Sequence, residues 1–311
     1  MNTEIKNKGF NWKMALMAQT ACILEADAPK VGNVNRFHDF ADASLEDFHC
    51  SALAIGRPFG YLERLGVGKT VYDAVKATRK VVLTNTNLGI ILLLAPLGMA
   101  WCRIRSRKDP DSGNHGSQKS LPLALKREIG EVLQSLGAED TRHVYQAIRL
   151  ASPAGMGEVQ QYDVLQEESP PIPLLKVMKL AAGRDLIARQ YRDDFELVLG
   201  IGYEALNHSL EKGLALPQAI AHSHLILLSQ VQDSLITRKL GPEWGREVQK
   251  RARFVWEQGG WLTAKGLQEV REFDSWLRGE GHSLNPGTTA DLMAAIILVY
   301  LMENDQKKRR C

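Results

Sequence analysis

Apolar residues along this chain recur at intervals of three and four, and the strict alternation of half-buried strands is scarce. The stretch "WKMALMAQTACILEA" (residues 12–26) has helical spacing and stops before Pro29, and "SLEDFHCSALAIG" (44–56) opens on a cap-like Ser44. Further helices are expected over 69–82, 123–136, 140–150, 174–188, 193–212, 217–240, 242–258, 264–278 and 289–303. A Pro- and Gly-rich passage from Ser152 to Pro173 interrupts the series. The pattern predicts an all-α protein: one multi-helix domain over 1–311, with a flexible loop at 104–120, a flexible tail at 304–311, and a ligand cleft formed by helix ends and connecting loops.

One segment is apolar on every side. "LGIILLLAPLGMAW" (88–101) is shorter than the roughly 20 residues a membrane span needs and contains Pro96, so a buried core helix is expected and no membrane partner. The N-terminus lacks the long apolar core of a signal peptide. The net charge of +3 balances 39 basic against 36 acidic residues, which disfavours general nucleic-acid binding. The four cysteines show no C-x-x-C spacing, so a reducing cytoplasm is the expected location and neither zinc nor a disulfide framework is indicated.

Chemistry-bearing residues gather where turns interrupt the helices. "PKVGNVNRFHDF" (29–40) places Lys30, Asn33, Asn35, Arg36, His38 and Asp39 around Gly32, just after Glu25. Its cations could neutralise phosphate, and Asp39 could bind a metal or move a proton, although an interhelical loop uses the same residue types. "TNTN" (84–87) sets Asn85, Thr86 and Asn87 at the start of the apolar helix, more polar groups than one N-cap requires. "LNPGTTADL" (284–292) reads as a turn into a helix whose free N–H groups and Gly287 could cradle an anion. Glu158 and Asp163 lie in a Gly-rich stretch. His222 and His224, two apart, face different sides of a helix, which disfavours shared metal ligation. "LGVGKT" (65–70) is not a phosphate-binding P-loop: the required first glycine is Glu63 and no strand precedes it.

Taken in order, Glu25 with "PKVGNVNRFHDF", "TNTNLG" (84–89), "GMGEVQQYDV" (155–164), "DSLITRKLG" (233–241) and "LNPGTTADLMAA" (284–295) resemble the triphosphoribosyl-dephospho-CoA synthase family. The resemblance implies an all-helical transferase that joins the ribose of ATP to the 2'-hydroxyl of dephospho-CoA with loss of adenine. It also implies departures. The family's His-Lys after Asn-Thr is Asn87-Leu88 here, its Gly-Ala-Arg-Gly-Glu has Met156 for the Arg, its Pro-Lys-Pro-Gly has Val31, and its following Asp is Asn35. In these respects the chain is similar to a divergent branch associated with tetrahydromethanopterin-dependent one-carbon metabolism, so a pterin-type acceptor is an alternative, as is a non-catalytic nucleotide-binding protein.

The residues expected to act follow from that resemblance. Glu158 and Asp39 would be catalytic. Glu25, Lys30, Asn33, Asn35, Arg36, His38, Asn85, Thr86, Asn87, Arg238, Asn285, Gly287, Thr288 and Thr289 would hold substrate and phosphate. Asp39, Glu158, Asp233 and Asp291 would bind Mg²⁺. Self-association is left open.

Overall fold

The computed structural model describes residues 9–107, 120–153, 164, 171–279 and 281–308. Along the chain run α1 (Trp12–Asp27), α2 (Leu45–Ala54), the short α3 (Gly56–Gly60) and α4 (Leu62–Leu65), α5 (Val67–Thr78), α6 (Leu88–Ser106), α7 (Leu121–Gln134) and α8 (Ala138–Ala151). They are followed by α9 (Leu174–Ala181), α10 (Leu186–Arg192), a π-turn (Val198–Gly202), α11 (Tyr203–Glu211), α12 (Leu216–Gln230), α13 (Ser234–Leu240), α14 (Pro242–Glu257), a 3₁₀ turn (Gly260–Leu262), α15 (Ala264–Arg278) and α16 (Gly287–Lys308). Among the described residues there is no strand, only an isolated bridge between Asn35 and His38. The all-α expectation holds.

Two helices, apolar on every side, form the centre. In α16 every residue from Leu292 to Val299 is fully buried, and α6 buries an unbroken run from Ile90 to Gly98. Each large aliphatic side chain so buried contributes roughly 1.5–3 kcal/mol. α6 packs against α16, α5, α7 and α10, and α16 also packs on α1. Of the described helices, α6 alone has the length and apolarity to cross a membrane, yet 78% of its apolar window is buried inside the bundle. Pro96 sits within α6 and has no N–H to give the carbonyl of Leu92 four residues earlier. The Tyr191 hydroxyl from α10 donates to that carbonyl at 2.7 Å, so the break in the helical ladder is repaired from a neighbouring helix. A smaller apolar cluster joins α12, α13, α14 and α15, with Val31 and Leu284 from the flanking loops.

Local chemistry explains most boundaries. Ser44 and Asp47 close a capping box on α2, as Ser44 suggested. "LGVGKT" is a turn into α5: Gly66 has φ +79° before the helix, and Gly68 lets its own N–H reach the Asp140 carboxylate at the start of α8. The tail differs from expectation, because α16 continues through Lys308. Asp305 on that last stretch pairs with Arg105 at 2.9 Å and with Lys13, which holds it to α6 and α1. Likewise α6 extends to Ser106, into the segment expected to be a loop. Two long predicted helices are each broken in two. Residues 174–188 divide before Asp185, and 217–240 divide at 231–233, before Ser234.

Candidate functional site

The first break opens onto a cavity of about 900 Å³, and the helix that follows the second break lines the same cavity through Leu235, Arg238 and Lys239. The ends of several helices meet there: the C-terminal end of α1 through Glu25, and the starts of α6, α10, α13 and α16 through Leu88, Ile187, Leu235 and Gly287. The starts of the two long helices, α6 and α16, bring the positive ends of their dipoles to the cavity.

The first polar block proves to be largely a strap. Lys30 is fully buried; its ammonium donates to the Glu25 carbonyl and pairs with the Glu25 carboxylate at 3.0 Å. Leaving that carboxylate buried without its partner would cost about 3–5 kcal/mol. Asn35 donates to the carbonyls of Lys30 and Asn33, both at 3.2 Å. Arg278 and Asp274 on α15 grip the loop from outside: Arg278 donates to the Asn33 carbonyl at 2.7 Å, and Asp274 accepts from the Gly32 N–H at 2.7 Å. Gly32 has φ +70°, and a Cβ there would lie 2.9 Å from Leu277, so glycine is required twice over.

Several expected ligands are therefore occupied elsewhere. Arg36 is exposed and paired with Asp27, and His38 is exposed 3.9 Å from Asp274. Asp39 is exposed, with its carboxylate accepting from the Leu45 N–H at the start of α2, and it does not line the cavity. Glu158 lies outside the described residues, although Pro153 and Val164 on either side of its segment line the cavity.

Asp233 is an internal weld. One oxygen accepts from the N–H groups of Leu235 and Ile236, and the other from the N–H and hydroxyl of Thr289 at 2.7 and 2.8 Å. Thr289 is committed to that contact. Nearby, Ser234 accepts from the Leu186 N–H and donates to the Thr288 hydroxyl, so the starts of α10, α13 and α16 are tied together. Among the described residues no group of three or more His, Cys, Asp or Glu side chains gathers as a metal cage. Of the four expected metal ligands, Asp291 alone reaches the cavity from the described residues. Among the described residues, the expected Mg²⁺ ligands Asp39, Asp233 and Asp291 are not brought together, and Glu158 lies outside those residues.

Glu25, Asn33, Asn85, Thr86, Asn87, Arg238, Asn285, Gly287, Thr288 and Asp291 do line the cavity. Some also brace it. Asn87 donates to the Thr78 hydroxyl at 3.0 Å, Thr86 and Ser51 share a hydroxyl contact at 2.5 Å, and Asn85 accepts from the Leu88 N–H. Three buried polar atoms on lining residues have no partner: Asn33 Oδ1, Thr84 Oγ1 and Arg238 Nε. Buried polar atoms are nearly always satisfied, so this set is suited to a polar ligand.

Electrostatics divides the lining. Asp291 lies against the first turn of α6, where a Cβ on Gly89 would meet its carboxylate at 2.0 Å. Burial raises its pKa well above the ordinary aspartate range, and neighbouring Glu25, Asp233 and Asp185 raise it further. Burial also raises Glu25, against the opposing pull of Lys30. Around this acidic pair stand Arg79, Arg184, Arg238 and Lys239. Arg238 is held by Asp185 at 2.5 Å, and Lys239 donates to Asn285 at 3.1 Å. Burial lowers the Lys239 pKa.

The sequence reading missed Arg79, Arg184, Asp185 and Lys239. The signal for two of them was present: Gly183-Arg184-Asp185 is a turn followed by an N-cap, and Asp185 accepts from the Ala188 N–H at 2.9 Å. His222 and His224 are both buried in α12.

Residues 11–310 match the family described as ATP:dephospho-CoA triphosphoribosyl transferase. A protein of Citrobacter koseri, named by inference as a 2-(5''-triphosphoribosyl)-3'-dephosphocoenzyme-A synthase, is 25% identical over 94% of this chain and 90% of its own. A protein of Malonomonas rubra with the same inferred name is 28% identical over 104 residues, 33% of this chain and 32% of the relative, so the match spans about a third of that relative's length. A crystal structure from Archaeoglobus fulgidus, described by inference as a triphosphoribosyl-dephospho-CoA synthase, has a TM-score of 0.58 and 25% identity, and covers 81% of this chain and 97% of that one.

Proposed function

Because the chain belongs to the ATP:dephospho-CoA triphosphoribosyl transferase family, we propose that it transfers the triphosphoribosyl group of ATP to the 2'-hydroxyl of dephospho-CoA and releases adenine. The observation that carries this reading is the acidic pair Glu25 and Asp291, set among four basic residues in one cavity large enough for two nucleotides.

In the reaction the ribosyl C1'–N9 bond breaks and a C1'–O2' bond forms. Adenine departs with the electron pair of the broken bond and takes up a proton. Positive charge develops on the ribosyl carbon, as in glycoside chemistry. Asp291 in its ionised form takes the proton of the acceptor hydroxyl, and its raised proton affinity suits that task. Glu25, whose ionised form is favoured by Lys30 against the effect of burial, adds negative charge beside the developing cation. Arg184, Arg238, Lys239 and Arg79 bind the triphosphate by charge-assisted hydrogen bonds. They supply cations in a chain whose Asn87, Leu88 and Met156 carry none. Mg²⁺ would come with the triphosphate as part of the donor and neutralise phosphate charge there.

The pterin-type acceptor gains no support from the relatives, whose names specify dephosphocoenzyme A. The test is incubation of the protein with Mg²⁺, ATP and dephospho-CoA, following free adenine and the coupled product by mass. The two should appear together in equal amounts. Their absence from folded protein, with an active relative alongside, would overturn the proposal.

A further inference from the structure

Beyond its charged part, the cavity has a second compartment. Every lining residue that α8 and α9 contribute is uncharged, and all but Tyr145 are aliphatic or Met: Val144, Ile148, Leu174, Val177 and Met178 form most of this wall. Ile187 from α10 and Leu92 from α6 continue it, while the charged lining residues come from α1, α13, α16 and the connecting loops. The two compartments share one space, so a ligand can reach from the reacting carboxylates onto the apolar wall.

Neither part of ATP matches that wall well. The triphosphate needs cations, which stand on the other side. Adenine is a compact base that must leave, and a wall drawn from three helices and α6 is broader than one purine needs. The acceptor is different: dephospho-CoA is a nucleotide carrying a long uncharged arm with a gem-dimethyl group. Burial of that arm would replace water against aliphatic surface.

Resting on the proposed transfer reaction, we infer that the wall formed by α8 and α9 receives the pantetheine arm of the acceptor and makes the enzyme selective for armed over armless nucleotides. The arm enters no bond that forms or breaks. Its burial orients the acceptor ribose toward Asp291, which is binding energy from a remote part of the substrate used at the reacting centre.

The experiment compares dephospho-CoA with ADP, which retains the nucleotide and lacks the arm. Dissociation constants for both are measured by calorimetry on the wild-type protein and on Val177→Glu, with Val177→Ala as a milder variant should the first fail to fold. The wild type should bind dephospho-CoA more tightly than ADP. In Val177→Glu that preference should fall by at least about tenfold, the scale on which an apolar pocket discriminates small changes. A preference unchanged in both variants, or no preference in the wild type, would overturn the inference. Adenine release is followed in parallel with dephospho-CoA as acceptor. Selective binding without any adenine release would sink the transfer reaction and leave the wall standing, whereas adenine release without selectivity would do the reverse.

Discussion

At the residue scale, the molecule separates side chains that hold the loops from side chains that face the cavity, although both types occur in the same motifs. Lys30, Asn35 and Asp233 are buried and committed within the protein, whereas Asn33 and Asp291 line the cavity. Asp291 is the residue on which the chemistry turns. Its native pKa is raised, so the ionised form is disfavoured by the fold, and stability linked to it is lost as pH rises through that value. Asp291→Asn should therefore lower turnover by about a hundredfold to ten thousandfold while leaving the melting temperature equal or higher. Adenine release and thermal unfolding on the same preparation check both halves, and a variant that is active or markedly less stable would contradict the assignment. The acid limb of kcat/KM in the wild type should lie above the ordinary aspartate range, since the base works only when ionised.

At the element scale, the starts of helices build the site. Asp233 and Ser234 weld α13 to α16 and α10, and α6 offers its first turn to Asp291. Gly89 is the point of closest approach there, so Gly89→Ala would push a methyl group into the Asp291 carboxylate. The helix itself should tolerate alanine, which has the better helix propensity. The expected result is loss of adenine release close to that of Asp291→Asn, with helicity by circular dichroism unchanged. Wild-type turnover in Gly89→Ala would show that the carboxylate position does not matter. The elements themselves were readily legible: α15 matches the predicted span, and α1 and α14 match within a residue or so. The breaks before Asp185 and at 231–233 were not, because apolar periodicity continues across each of them and the only local mark is a single Asp side chain that caps the helix that follows. Arg184, Asp185 and Lys239 were missed for that reason.

For the whole molecule, buried histidines add an acid weakness to an otherwise aliphatic core. Burial pushes His222 down to about 4 and His224 down to about 3, with His208 and Lys30 respectively lowering them further. The unfolded chain takes up protons on these rings from about pH 6.5 downward. The native state refuses them until about pH 4 and 3, so falling pH through this window favours unfolding. The raised carboxylates Glu25, Asp233 and Asp291 pull the other way, so the clear readout is a comparison. Replacing both histidines with asparagine should flatten the drop in melting temperature between about pH 6.5 and 4. An unchanged slope would remove the histidines as its cause.

What the sequence determined by itself was the helical class, the central place of the helix at 88–106, and the family, because apolar periodicity and ordered short motifs are written locally along the chain. What tertiary structure alone decided was the role of each polar residue. A Lys, Asp or Asn in a motif offers the same groups whether it faces a substrate or a neighbouring backbone. The choice depends on which partners the packed helices bring within hydrogen-bond reach, and those partners lie far away in sequence: Asp233 meets Thr289, Gly32 meets Asp274, and Gly89 meets Asp291.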